Sequence, residues 1–122
     1  MGQRFCQTVL IVDDEEYIRA LAAAVLKDEG FEVLEASSIE EAIDLASRSS
    51  IDILLTDLNL PGETNGMQLA DQIRSFQPSV HVVLSSGDDE PVASIKREGA
   101  IFLAKPYRPH QLTAAVRPRT IG

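Results

Sequence analysis

The sequence has no tryptophan, two tyrosines, four phenylalanines and a single cysteine among its 122 residues. With so few aromatic side chains, the core must be built mainly from Leu, Ile, Val and Ala, as is common in proteins with parallel β-sheets. The lone cysteine, Cys6, excludes an internal disulfide bond and suits a reducing compartment.

Long hydrophobic runs are also absent. No stretch approaches the roughly 20 consecutive apolar residues that a membrane-spanning helix requires. The first apolar run, VLIV, is short and is followed by four acidic residues, unlike a secretory signal peptide. We therefore expect a cytoplasmic protein without a membrane span.

Positive charge is scarce, since 11 Lys and Arg residues face 19 Asp and Glu residues and the formal net charge is −8. Binding to a nucleic-acid backbone relies on clustered Lys and Arg, so direct nucleic-acid binding by this chain is not expected. The length and the hydrophobic content of 44% suit one domain with an ordinary core. We predict a single domain over residues 1–122.

Hydrophobic periodicity predicts five short strands, each followed by a helix. The strands are expected at Thr8–Val12, Phe31–Ala36, Ile51–Thr56, Val80–Leu84 and Ile101–Ala104. The expected inward positions of the first helix are Ile18, Leu21, Ala22, Val25 and Leu26, and those of the third helix are Leu69, Ala70, Ile73 and Phe76. The fourth helix is expected at Pro91–Glu98 and the fifth between Pro109 and Pro118. Short connections between alternating strands and helices indicate an α/β fold with a parallel sheet and right-handed crossovers.

Functional groups follow the ends of four predicted strands. Asp13 and Asp14 come after the first, Asp57 after the third, Ser85 and Ser86 after the fourth, and Lys105 after the fifth. In a parallel sheet all of them lie at one edge, which is where open α/β sheets bind their ligands. The segment IDILLTDLNLPG is central to this interpretation, because an apolar strand there ends on Asp57 and breaks at once into a turn.

Neighbouring carboxylates repel one another, and a hard divalent cation with oxygen ligands relieves the repulsion. Mg²⁺ takes one or two carboxylates plus phosphate oxygens and keeps several waters. A hydroxyl and an ammonium group beside it could hold the remaining oxygens of a phosphoryl group. Asp57 is thus a candidate nucleophile that forms an acyl phosphate.

The motifs VLIVDDEE, LLTDLNLPG followed by NG, VVLSSGD and FLAKP, in this order, resemble those of the receiver domain of two-component response regulators over nearly the whole chain. The resemblance implies a flavodoxin-like three-layer sandwich, with a five-stranded parallel sheet of order 2-1-3-4-5 and helices on both faces. It also implies a signalling domain rather than an enzyme. The domain would accept a phosphoryl group from a histidine kinase or histidine phosphotransfer protein and act on a downstream protein that the sequence does not identify.

The resemblance also implies roles for particular residues. Asp57 would be the phosphoacceptor, and Lys105 would pair with the phosphoryl group. Mg²⁺, or Mn²⁺ in its place, would be held by the carboxylates of Asp14 and Asp57 and the backbone carbonyl of Asn59, with Asp13 acting indirectly. The remaining implied residues are Pro106, after a cis peptide bond, and Phe102, at the switch position.

The hydroxyl group leaves a choice between two neighbours. Counting 28 residues from Asp57, as the family spacing implies, favours Ser85 over Ser86. Phe102, three residues before the lysine, would swing inward when that hydroxyl moves toward the phosphoryl group. A plain core role for this aromatic side chain remains the alternative.

Other functions are less consistent with the sequence. A phosphatase of the haloacid dehalogenase type would need a second aspartate two residues after the nucleophile, where Asn59 stands. No glycine-rich nucleotide-binding motif is present. A receiver-like scaffold that takes no phosphate is disfavoured by the intact acidic, hydroxyl and lysine set. The kinase, the downstream partner, the oligomeric state, and whether the chain acts alone or within a longer protein stay open.

Overall fold

The computed structural model of the chain describes residues 6–62, 65–87 and 100–117. Within them, five parallel strands form one sheet in the order β2-β1-β3-β4-β5, which confirms the predicted fold class and strand order. The strands are β1 (Thr8–Val12), β2 (Glu32–Ala36), β3 (Ile53–Asp57), β4 (His81–Ser86) and β5 (Ala100–Ala104). The helices are α1 (Glu16–Asp28), α2 (Ile39–Arg48), α3 (Gly66–Phe76) and α4 (Pro109–Val116). The helix expected at Pro91–Glu98 lies outside the described residues.

The two faces of the sheet carry separate hydrophobic cores. On one face, β1, β3 and β4 pack against α2 and α3, and the fully buried side chains there include Leu10, Leu54, Leu84, Leu69 and Ile73. On the other face the same strands pack against α1 and α4, and the buried side chains include Val9, Ile11, Leu55, Leu26 and Leu112. Each such Leu or Ile contributes about 1.5–3 kcal/mol through its removal from water. The sheet is therefore the middle layer of three.

β3 is the central strand, and all five of its residues, ILLTD, are buried. It pairs with β1 on one side and with β4 on the other. Its last residue is Asp57, so the carboxylate belongs to the strand itself. None of the helices within the described ranges is long and apolar enough to cross a membrane.

The helices begin and end at residues whose types favour helix caps. The side chain of Ser38 accepts a hydrogen bond from the N–H of Glu41 and caps α2, and Asn65 caps α3 in the same way through Gln68. Gly30, with φ of +96°, follows the end of α1 in the left-handed region that favours glycine. Pro109 is the first residue of α4, as predicted.

Two side chains predicted to point inward are instead exposed: Leu21 is 50% and Phe76 is 45% accessible to solvent. In α1, Ala22, Ala23 and Leu26 are buried, and Leu21 lies on the flank that lines an open groove toward α4. Phe76 is the last residue of α3, where it borders an open cleft instead of the sheet. Periodicity identified the apolar stripe but not which part of it a neighbouring element covers.

At the end of the sheet away from Asp57, the side chain of Gln77 joins three segments. Its Nε2 donates to the carbonyl oxygens of Ala46 (2.7 Å) and Ser49 (2.9 Å), and its Oε1 accepts from the N–H of Ile51 at 2.7 Å. One amide group thus satisfies backbone atoms at the end of α2, in the turn after it and before β3. These atoms are partly buried, so without Gln77 they would have poor access to water as a hydrogen-bond partner.

We predict that Gln77→Ala lowers the free energy of unfolding by about 1–3 kcal/mol, because it leaves partly buried backbone groups without partners. Gln72→Ala is the matched control, since Gln72 is an exposed glutamine on the same region of the chain. Urea unfolding of both variants checks this expectation. Equal stability of the two variants would contradict it.

Candidate functional site

The carboxyl ends of the strands bring the predicted polar side chains to one edge of the sheet. Asp13 and Asp14 follow β1, Asp57 ends β3, and Lys105 follows β5. Asp14, Asp57 and Lys105 line a cleft of about 270 Å³ together with Glu15, Asn59 and Gly87. A larger open cleft of about 590 Å³ lies at the opposite end, around Gln77. That cleft contains no comparable grouping of acids with a lysine among its lining residues.

Three carboxylates converge in the site. Oxygen atoms of Asp13, Asp14 and Asp57 all lie within 4.8 Å of one another. Asp13 and Asp57 are buried, whereas Asp14 is exposed. Clustered carboxylate oxygens with one open side fit the preference of Mg²⁺ for hard oxygen ligands, few carboxylates and retained water.

Lys105 is the counterion of this acidic cluster. Its Nζ lies 2.9 Å from Oδ2 of Asp13, 3.0 Å from Oδ2 of Asp57 and 3.4 Å from Oε1 of Glu15. Burial alone would lower the pKa of Lys105, but the hydrogen bonds and negative charges of Asp13 and Asp57 outweigh it and raise this pKa. The ammonium group is therefore charged over the whole physiological pH range.

For Asp57, burial shifts the pKa more than the hydrogen bonds and neighbouring charges do. It raises the pKa of the carboxyl group, and the hydrogen bond and charge of Lys105 and the N–H of Asn59 reverse only part of this shift. The N–H of Asn59 donates to Oδ1 of Asp57 at 3.2 Å. One carboxylate oxygen thus faces Lys105 and the other faces the loop after β3, so the carboxylate is held from two sides.

The choice between the two candidate hydroxyl groups, Ser85 and Ser86, stays a prediction. Asp57 of β3 pairs directly with Ser85 of β4, and paired residues of neighbouring strands point to the same face of a sheet. Ser85 is buried, and its carbonyl oxygen accepts a hydrogen bond from the N–H of Leu58 at 2.7 Å. Ser86, one residue on, is half-buried and pairs with Ala104 of β5, the residue before Lys105.

The two remaining predicted residues lie on or after β5. Phe102 pairs with Leu84 of β4 and is half-buried against the core formed with α2 and α3. The peptide bond between Lys105 and Pro106 is cis. Phe102 is thus separated from β3 by one strand, β4, and its ring packs partly in the core. This position fits either a core role or a switch role.

Sequence reasoning missed Glu15 and Arg19. Glu15 pairs with Lys105, 90 residues away, and its own N–H donates to Oδ1 of Asp13 at 2.9 Å. Arg19 donates from Nη1 to the carbonyl oxygen of Asp13 at 2.8 Å, and its Nε lies 3.2 Å from Oε1 of Glu35. Arg19 therefore anchors the backbone of the acidic turn. No local pattern signals the ion pairs of Glu15 with Lys105 and of Arg19 with Glu35, since they depend on where β5 and β2 lie relative to the start of α1.

Gly66 and Tyr107 were also missed as site residues. A Cβ atom on Gly66 would overlap the carbonyl oxygen of Asp57, so only glycine lets α3 begin this close to the end of β3. The tyrosine ring packs in the core with α1 and α4. Burial, followed by the negative charge of Asp13, raises the pKa of Tyr107 to about 12.

The strand order and the grouping of acids with a lysine at the carboxyl edge of the sheet place the chain in a flavodoxin-like class of signalling domains. The chain matches the family model "Response regulator receiver domain" over residues 9–117. It belongs to this family, as its motifs predicted.

Relatives and solved structures agree with this assignment. The chain is 33% identical over 111 residues to "Transcriptional regulatory protein SrrA" of Staphylococcus aureus, which covers 89% of the chain but only 46% of the relative's length. A response regulator receiver protein from Sinorhizobium medicae superimposes with a TM-score of 0.83 at 32% identity, covering 91% of each chain. A receiver domain protein from Clostridium thermocellum gives 0.79 at 31% identity, covering 90% of each chain.

We predict that Gly66→Ala destabilises the protein by about 1–3 kcal/mol, because the added methyl group forces α3 away from the end of β3. Urea unfolding measures the effect. Gly87→Ala is the matched control, since its Cβ would meet Lys105 Cβ at 3.6 Å, an ordinary contact. A Gly66→Ala variant as stable as the Gly87→Ala variant would refute the close approach.

We predict that Tyr107 titrates with a pKa of about 12 in the folded protein. The chain has two tyrosines, so a Tyr17→Phe variant isolates Tyr107, and phenolate absorbance followed against pH reports it. Because the folded-state pKa exceeds the unfolded value of about 10, this group's stabilising contribution is complete below pH 10 and is lost as the pH rises toward 12. Circular dichroism verifies that the chain is still folded, and titration near pH 10 in folded protein would contradict the burial.

Proposed function

We propose that Asp57 accepts a phosphoryl group from a phosphohistidine on a histidine kinase or histidine phosphotransfer protein. The observation that carries this proposal is the buried Asp57 carboxylate, whose Oδ2 lies 3.0 Å from Lys105 Nζ within a group of three carboxylates. The cleft beside it is open to a partner's side chain. Membership of the receiver-domain family supports the same reaction.

In the reaction, an Oδ atom of Asp57 attacks phosphorus. A phosphorus–oxygen bond forms as the phosphorus–nitrogen bond to the donor imidazole breaks, and the imidazole retains or takes up a proton and leaves neutral. Lys105 stabilises the negative charge that spreads over the phosphoryl oxygens. Ser85, on the same face of the sheet, donates its hydroxyl to another of these oxygens.

Mg²⁺, with Mn²⁺ as an alternative, fits the donor atoms of this site. In the proposal the carboxylates of Asp14 and Asp57 and the backbone carbonyl of Asn59 hold the ion, while Asp13 acts through water or through Lys105. When bound, the ion neutralises charge on the carboxylates and on the phosphoryl oxygens. The exposure of Asp14, set against the burial of Asp13, supports this division of roles.

The phosphorylated domain would signal by a change of surface rather than by turnover of a substrate. When Ser85 is drawn toward the phosphoryl group, β4 and the neighbouring β5 shift, and Phe102 changes its packing. A downstream protein then recognises the altered face. The only turnover is hydrolysis of the acyl phosphate by water, which approaches between Asn59 and Gly87, two residues that line the cleft.

A role in transcription would come through a further segment or a partner. The Staphylococcus aureus relative is named a transcriptional regulatory protein, and this chain spans about half of its length. The net charge of −8 disfavours direct contact of this domain with a nucleic-acid backbone. We place the domain's action in the cytoplasm, where histidine phosphotransfer to such domains takes place.

We predict that incubation with acetyl phosphate or phosphoramidate and Mg²⁺ adds one phosphoryl group, detected by intact mass and removed by mild alkali. Asp57→Asn reduces the incorporation to background, because an amide cannot form the acyl phosphate. Asp28→Asn, which removes an exposed carboxylate at the end of α1, retains it. Incorporation into the folded Asp57→Asn variant would refute the assignment of the phosphoacceptor.

A further inference from the structure

Glu15 occupies an unusual position for its residue type. It is the N-cap residue of α1, where Ser, Thr, Asp and Asn are preferred, yet its side chain makes no capping hydrogen bond. The carboxylate turns instead toward the cleft, where Oε1 lies 3.4 Å from Lys105 Nζ. The side chain is 58% exposed, so the charge stands at the mouth of the cleft and faces solvent.

The charge of Lys105 is already balanced without the Glu15 carboxylate. Lys105 already has two closer and more buried partners, Asp13 and Asp57, at 2.9 and 3.0 Å. The contact with Glu15 is longer and exposed, so it adds little to stability. Its clearest physical effect is a negative potential at the entrance through which a phosphoryl group must pass.

An incoming dianion would feel this potential most strongly. Oε1 of Glu15 and Oδ2 of Asp57 lie 3.4 and 3.0 Å from the same lysine nitrogen, so these two oxygens are at most about 6.4 Å apart. Repulsion at this range scales with the charge of the donor. A phosphohistidine with a protonated imidazole ring carries one net negative charge, one fewer than a free acyl phosphate, and its approach is also supported by contacts elsewhere on the partner.

We propose that Glu15 is a specificity-determining residue that disfavours small dianionic phosphodonors at the entrance of the cleft. The inference rests on the proposed phosphoacceptor function of Asp57. Glu15 acts by charge and does not contact the reacting atoms, so its isosteric neutral replacement, Glu15→Gln, removes the effect without removing a capping bond.

The control is Glu16→Gln. Glu16 is the next residue, carries the same charge and is exposed in the first turn of α1, and its side chain makes no hydrogen bond or ion pair with the described part of the chain. Both variants change the net charge equally. Any difference between them therefore reports the position of Glu15 beside Lys105.

The first measurement compares acetyl phosphate, a dianion at pH 7, with phosphoramidate, which carries one negative charge less, at saturating Mg²⁺ and low salt. Glu15→Gln is expected to raise the second-order rate constant of phosphorylation by acetyl phosphate about three- to tenfold, the size expected for one nearby charge in a solvated cleft. The increase for phosphoramidate is smaller, and added salt reduces both. Equal increases for the two donors, or no difference from Glu16→Gln, would overturn the proposal.

A second measurement does not require phosphorylation. Inorganic phosphate is titrated into each variant with Mg²⁺ present, and the amide NMR signals of Asn59 and Gly87 report its binding. The dissociation constant is expected to fall about three- to tenfold in Glu15→Gln and to stay unchanged in Glu16→Gln. If neither donor modifies the wild-type protein, the proposed function fails, whereas equal phosphate affinity in the two variants overturns the role of Glu15.

Discussion

The contact of one ammonium group with two buried carboxylates is the interaction on which this structure depends. Buried charges are costly unless they are paired, and Lys105 pairs with Asp13 and Asp57 at 2.9 and 3.0 Å. The three residues come from the ends of β1, β3 and β5, so the pairing exists only when the sheet is assembled. The same arrangement leaves one cation facing an excess of acids, which fits the proposed divalent ion and phosphoryl group.

The surrounding fold keeps these groups at their short distances. Gly66 allows α3 to start directly against the carbonyl of Asp57, while Arg19 holds the carbonyl of Asp13 and reaches Glu35 on the next strand. Both contacts act on backbone atoms, so they position the acids without using the carboxylate oxygens. The carboxylate oxygens are held separately, by Lys105 and by the N–H groups of Glu15 and Asn59.

The register of the sheet offers a route from the site to the surface. Asp57 pairs with Ser85, while the adjacent pair on β4 and β5 joins Leu84 to Phe102. Under the proposed function, a change in charge at Asp57 would reach this half-buried aromatic side chain through β4. Glu15 would act at the entrance of the cleft, where its exposed charge would influence which phosphodonor approaches. The buried residues Asp57 and Ser85 would govern the response to phosphorylation, and the exposed Glu15 would govern the access of phosphodonors to the cleft.

The sequence by itself determined the elements and the main acids. Hydrophobic patterning located the described strands to within two residues at each end. The break after an apolar run marked Asp57, because a buried strand that ends on an acid is visible locally. Tertiary structure decided which apolar residues are covered, as at Leu21, and which distant groups meet, as for Glu15 with Lys105. These outcomes depend on distances between segments up to 90 residues apart, and no local pattern encodes such a distance.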